Sequence, residues 1–174
     1  AAAGCRILSA KQLKERVKRW ETERVLSPTE IWSDHIKSRS RSKRLRVGYY
    51  SQDLNIHHPV GRFIRPVLRD HNKNEIEIIG ISCAKSSQSG HEEIRKYCDR
   101  WVELGMSDDI EAARHISELE LDILIELGGY TGGQRIRPLT AKPAPIQLSY
   151  LGYFASTHLN CIDGIIEIAS RFKI

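Results

Sequence analysis

No stretch of the 174 residues approaches the roughly 20 consecutive apolar residues of a membrane-spanning helix, so no membrane partner is expected. The opening AAAGCRILSAK lacks the apolar centre of a signal peptide, which leaves nothing to indicate export. Cysteine is sparse, and Cys5, Cys83, Cys98 and Cys161 stand too far apart to form a Cys-x-x-Cys pair. Reduced thiols in a cytoplasmic protein are therefore expected. The seven histidines are scattered, and none falls in a His-Glu-x-x-His or similar ligand spacing, so no metal is expected. A Gly-x-Gly-x-x-Gly fingerprint is also missing after the first strand, which disfavours a dinucleotide cofactor. No internal repeat is visible.

What is present is a globular composition, 40% apolar and 28% charged, on a chain long enough for one good core. The pI of about 9.1 would point to nucleic acid if the charge were spread evenly. It is not: residues 1–46 carry a net +8, and residues 47–174 carry a net −3. The basicity peaks in KSRSRSKRLR, residues 37–46. A solvated linker is the plain reading of that run, with a phosphate or an acidic partner as the alternative. A nucleic-acid partner ranks last, because the basic residues lie outside the expected fold and no aromatic-basic interleaving accompanies them.

Three regions follow. Residues 1–36 read as a helical segment, the end of a repeat region or a set of connecting helices. Ser9 and Gln12 make a capping box ahead of Leu13, Val17 and Trp20. Ser27 and Glu30 repeat the device, with Pro28 at the first helical position and Ile31, Trp32, His35 and Ile36 on one face. Residues 37–45 form the basic linker. From residue 46 to 174 the pattern turns to strands alternating with helices. RVGYY (46–50), EIEIIGIS (75–82), WVEL (101–104), LDILIEL (121–127), IQLSY (146–150) and DGIIEI (163–168) read as strands.

Between them lie helices at about 59–70, 91–98 and 108–119, and a short one at 134–141. Val60, Phe63, Ile64, Val67 and Leu68 define the apolar face of the first, and Pro66 inside it should kink it or cost a hydrogen bond. Ser107, followed by Asp108 and Asp109, is expected to cap and charge the start of the third. Six short apolar strands separated by helices predict an α/β fold, a Rossmann-like three-layer domain with a mainly parallel sheet. The helices before residue 40 should pack on its edge or outside it.

In an open α/β sheet, ligands bind beyond the carboxyl ends of the strands. Three segments meet that condition: SQDLNIHHP after the first strand, GGYTGG after LDILIEL, and LGYFAST after IQLSY. The glycines of the second allow close backbone approach or positive φ, and such a turn is also common for steric reasons alone. Pro59 suits the first turn of a helix. His57 and His58 beside it suit a proton acceptor or a hydrogen-bond donor to a polar substrate, or one of them simply caps the helix.

Four of these motifs, RLRVGYYSQD, HPVGRFIRPVLRDH, DILIELGGYT and PAPIQLSYLGY, resemble in order and spacing the catalytic region of O-linked N-acetylglucosamine transferases and their SPINDLY-like and bacterial relatives. That resemblance implies half of a GT-B glycosyltransferase, in which two Rossmann-like domains face each other across a cleft without a metal. Tetratricopeptide helices usually precede the catalytic part. The donor would be a nucleotide sugar, UDP-GlcNAc or in SPINDLY proteins GDP-fucose, and the acceptor a protein Ser or Thr. By position, His58 matches the active-site histidine proposed as a base. Leu151 and Gly152, with Tyr153 beside them, match the loop that touches the donor sugar. Gly129, Tyr130 and Thr131 match the turn lining the cleft.

The sequence departs from the family in four ways, one being that Arg100 stands near where the animal enzymes carry a second histidine, so that role does not transfer. His57 is an additional histidine in its turn, counted here with the substrate-binding residues. Phe154 and Ala155 replace a proline and a small residue, which bears on sugar identity. The family's second, nucleotide-binding subdomain is not recognisable before Ile174. The expectation is therefore a chain inactive alone, whose open cleft face promotes self-association. The alternative class is a non-catalytic interaction module that keeps the fold.

Overall fold

The computed structural model describes residues 9–26, 44–85 and 89–167. The expected second helix with Trp32 and His35, and most of the basic linker, lie outside the described residues.

Helix α1 (Ala10–Arg24) opens with the anticipated capping box: Ser9 Oγ accepts the Gln12 amide at 3.3 Å, and Gln12 Oε1 accepts the Ser9 amide at 2.9 Å. Strand β1 is Leu45–Ser51, α2 is Pro59–Asp70 and β2 is Ile76–Ser82. A single turn, α3 (Glu92–Arg95), precedes β3 (Arg100–Glu103) and α4 (Asp109–Glu118). Strand β4 (Ile123–Glu126), a 3₁₀ turn (Arg137–Ala141), β5 (Ile146–Tyr150) and β6 (Gly164–Ile166) complete the order.

All six strands are parallel, in the order β3-β2-β1-β4-β5-β6. β1 is central, with Val47 opposite Ile78 on one side and Ile123 on the other. Alternation along the strands sorts the core into two halves, one on each face. Val47, Tyr49, Ile78 and Ile125 meet Val60, Ile64 and Leu68 of α2. Tyr50, Ile79, Ile81 and Leu124 meet Val17 of α1, Ala112 and Ile116 of α4, and Leu139. This is the three-layer Rossmann-like arrangement the pattern predicts.

Several local expectations are refined. α4 is capped by Asp108, not Ser107: the Asp108 carboxylate accepts the Ile110 and Glu111 amides at 2.8 Å each, while Ser107 turns its hydroxyl to Leu104 O. A carboxylate reaches two amides at once, which a hydroxyl does less well. Pro66 does not break α2, which runs unbroken to Asp70. Both Pro66 and Arg62, whose carbonyl loses its partner, are exposed, so water can satisfy that carbonyl. The end of the basic run belongs to the sheet. Arg44 donates to Lys73 O and Asp99, and Arg46 pairs with Glu77 at 3.2 Å and Glu120 at 2.8 Å. No helix among the described residues is long and apolar enough to cross a membrane.

Candidate functional site

β1 and β4 are sheet neighbours, but the chain leaves β1 toward β2 and returns to β4, so the strand order reverses between them. This is the topological switch point where the carboxyl ends of an open parallel sheet leave a crevice. The turns after β1 and β4 meet there, and the loop after β5 flanks them.

His58 is the N-cap of α2. Its Nδ1 accepts the Val60 amide at 3.3 Å, and its side chain remains 44% exposed. An Nδ1 that accepts an amide hydrogen carries none of its own, so the neutral ring holds its proton on Nε2. Asp53 Oδ2 lies 3.9 Å from the same Nδ1, too far for a hydrogen bond. His57 is exposed. Its amide, like that of His58, is held by Asn55 Oδ1 (3.1 and 3.0 Å), and Arg62 donates to its carbonyl. Its ring packs on Gly90 of the next loop.

In the second turn, Thr131 donates its hydroxyl to Gly128 O at 2.8 Å, and Tyr130 donates its own to Thr157 O at 2.8 Å. Desolvation raises the Tyr130 phenol pKa, so it stays a donor. Gly129 has φ +52°, and a side chain there would strike the Tyr153 ring. Tyr153 also stands edge-on to Tyr130, with ring centroids 5.7 Å apart. In the third loop, Leu151 takes φ +70°, unusual for its residue type. A Cβ on Gly152 would run into the Leu127 carbonyl. Phe154 is 97% exposed at the mouth of a cavity of about 470 Å³ that Leu151, Tyr153, Ser156 and Ile165 also line.

The fold thus brings His58, the 128–131 turn and the 151–153 loop to one end of the sheet. Leu151 and Gly152 offer backbone, Tyr153 supports Gly129, and His57 sits further out against Gly90. Three site residues are absent from the sequence-based set. Gln134 Nε2 donates to Ser51 Oγ at 2.8 Å and Asp53 Oδ2 at 2.9 Å, while its Oε1 accepts the Gln52 amide, so it straps the first turn to the second. Asp53 is the acidic residue nearest His58. Glu126, buried at the end of β4, accepts the Gly128 and Gly129 amides. A carboxylate in the otherwise apolar run ILIEL (123–127) was a visible signal for Glu126, since an unpartnered buried charge is costly. Nothing in the sequence marks Gln134. Among the described residues, no three His, Cys, Asp or Glu side chains converge as a metal site.

Comparison with known proteins places this geometry in context. The model of glycosyl transferase family 41 matches residues 22–171. A probable UDP-N-acetylglucosamine–peptide N-acetylglucosaminyltransferase, SEC of Arabidopsis thaliana, is 30% identical over 132 residues, covering 75% of this chain and 13% of that protein. A UDP-N-acetylglucosamine–peptide N-acetylglucosaminyltransferase of Caenorhabditis elegans is 28% identical over 129 residues, 73% of this chain and 11% of that protein. A solved O-GlcNAc transferase mutant of Thermobaculum terrenum superposes with a TM-score of 0.74 at 26% identity, covering 89% of this chain and 29% of that one. The chain thus spans a small fraction of the length of these relatives.

Proposed function

The chain belongs to glycosyl transferase family 41, and from that membership we propose that it forms one half of the catalytic region of a protein O-glycosyltransferase. The donor in this reading is a nucleotide sugar, UDP-GlcNAc in the first place and GDP-fucose as the alternative. The acceptor is a Ser or Thr hydroxyl of a protein. The reading rests above all on one observation. The turns after β1 and β4 and the loop after β5 converge at the switch point of a parallel sheet, within residues 22–171 that the family model matches.

In the reaction, the acceptor oxygen bonds to the anomeric carbon as the bond to the nucleotide diphosphate breaks, and the hydroxyl proton passes to the departing diphosphate or to water. His58 is the catalytic candidate. With Nδ1 occupied by the Val60 amide, its neutral ring offers an Nε2–H, which orients a sugar or acceptor oxygen by donating to it. Accepting a proton at Nε2 would require the ring to release Val60 and turn its Nδ1–H toward Asp53. Gly129, Tyr130 and Thr131, with Leu151, Gly152 and Tyr153, line the sugar. His57 shapes the turn. No cofactor enters beyond the donor substrate. A second α/β subdomain of the full-length protein holds the nucleotide and neutralises the leaving diphosphate. Cys83, Cys98 and Cys161 are free thiols, which suits a cytoplasmic setting.

The test is incubation of the full-length protein with peptide acceptors and either UDP-GlcNAc or GDP-fucose, read by mass spectrometry. Transfer of N-acetylhexosamine from UDP-GlcNAc is expected, and no transfer from either donor refutes the proposal. The 174-residue chain alone should bind neither donor more tightly than about 1 mM, roughly −4 kcal/mol by calorimetry, because one wall of the cleft is missing. Micromolar binding would overturn the two-subdomain part. Sedimentation will show whether the open face drives self-association.

A further inference from the structure

Glu126 is 3% exposed, yet all of its contacts have a direction. Its Oε2 accepts the amides of Gly128 at 3.0 Å and Gly129 at 2.6 Å. Its Oε1 accepts the hydroxyl of Ser149, its register partner on β5. Two consecutive glycines make a pliable backbone, and they stand where β4 opens into the switch-point crevice. The other restraints on this turn include contacts of Thr131, Tyr130 and Tyr153 and the Gln134 amide donated to Thr131 O, all of them neutral. The carboxylate alone binds consecutive amides at the root of the turn and a neighbouring strand together.

We propose that Glu126 is a positioning residue for this site. It sets the backbone of the 128–131 turn and ties it to β5, so that Tyr130 and Thr131 stand at a fixed distance from the 151–153 loop. The kinetic half of the inference rests on the glycosyltransferase reading; the structural half does not. The side chain acts through the turn and touches no reacting atom. Its charge is therefore dispensable where its shape is not. A glutamine can turn its carbonyl oxygen to the two glycine amides and its NH₂ to Ser149 Oγ, which then accepts. A leucine fills the volume and satisfies none of the three donors.

The experiment compares Glu126→Gln and Glu126→Leu in the full-length protein by amide hydrogen exchange and by steady-state kinetics. In Glu126→Leu, the Gly128 and Gly129 amides should exchange at least about 30-fold faster while Ile79 and Leu124 keep their protection. kcat should fall by about 30- to 100-fold, the size expected of a misplacement near 1 Å, with KM for the donor changing less than about threefold. Glu126→Gln should restore the protection and bring kcat to within about fivefold of wild type. Glycine amides as protected in Glu126→Leu as in wild type overturn the proposal. So does a Glu126→Gln protein with protected glycines and the activity of the leucine variant, since the carboxylate itself would then react. If Glu126→Leu does not fold, Ser149→Ala decides. It cuts only the tether to β5 and should speed Gly129 exchange by about threefold or more, and unchanged exchange refutes. A wild-type protein without transferase activity would remove the proposed function and leave the exchange result to judge the positioning alone.

Discussion

His91 is 2% exposed, and neither of its ring nitrogens has a hydrogen-bond partner among the described residues. Its backbone carbonyl serves the Ile94 and Arg95 amides, so the side chain can be replaced without disturbing that turn. The ring makes a tilted stack on Trp101, with centroids 5.5 Å apart. Replacing His91 with leucine removes a buried unsatisfied polar group, a gain of about 1–3 kcal/mol. It forfeits the stack, a loss of about 0.5–1.5 kcal/mol. The expected net is a stabilisation near 1 kcal/mol at pH 7.5, or about 2–4 °C in Tm for a chain of this size.

Acid should enlarge the difference. Desolvation lowers the folded-state pKa of His91, with Glu103 and Glu92 opposing in part. The unfolded chain then binds more protons below the ordinary histidine value of about 6.5. Wild-type stability is accordingly kept above that value and lost as pH falls through it toward the folded pKa. Urea denaturation of wild type and His91→Leu at pH 7.5 and 5.5 tests both parts. A variant destabilised by more than about 0.5 kcal/mol, or a difference that does not grow at pH 5.5, refutes the reasoning.

In the full-length protein, His58→Ala should lower turnover by about 10²-fold or more and His57→Ala by much less. His58→Ala also loses a helix cap worth about 1 kcal/mol, so turnover is to be compared at a temperature where both variants are folded; equal effects count against the assignment. Gly129→Val, at φ +52° and with its Cβ 2.5 Å from the Tyr153 ring, should cost about 2 kcal/mol or more in urea denaturation. A neutral result would mean that the 128–131 turn is not held by Tyr153.

The predicted span of α2 coincides with the observed Pro59–Asp70, because a proline start, an apolar stripe and a polar end all act within a few residues. IQLSY is recovered in full for the same reason. Longer expected strands shorten at their ends. LDILIEL becomes Ile123–Glu126, since the polar turn on either side competes with the ladder. In the site, His58 beside Pro59 was legible as a choice between a cap and a functional group, and it caps α2 through Nδ1 while its side chain stays 44% exposed. Gln134 was invisible because its partners Ser51 and Asp53 lie 83 and 81 residues away. No local pattern records such a pairing.

By itself the sequence determined the inventory: which segments are strands, which are helices, about where the turns between them fall, and which side of each segment is apolar. These follow from backbone propensity and the periods of 3.6 and 2, which operate over a single element. The order β3-β2-β1-β4-β5-β6 was a matter for the tertiary structure alone. It depends on which apolar faces bury best together once the chain has closed long loops, a competition among non-local contacts. That order sets β4 beside β1, brings the glycine turn against the histidine turn, and gives Glu126 its Ser149 partner. The site therefore exists only in the folded sheet, although every residue in it was present to be read.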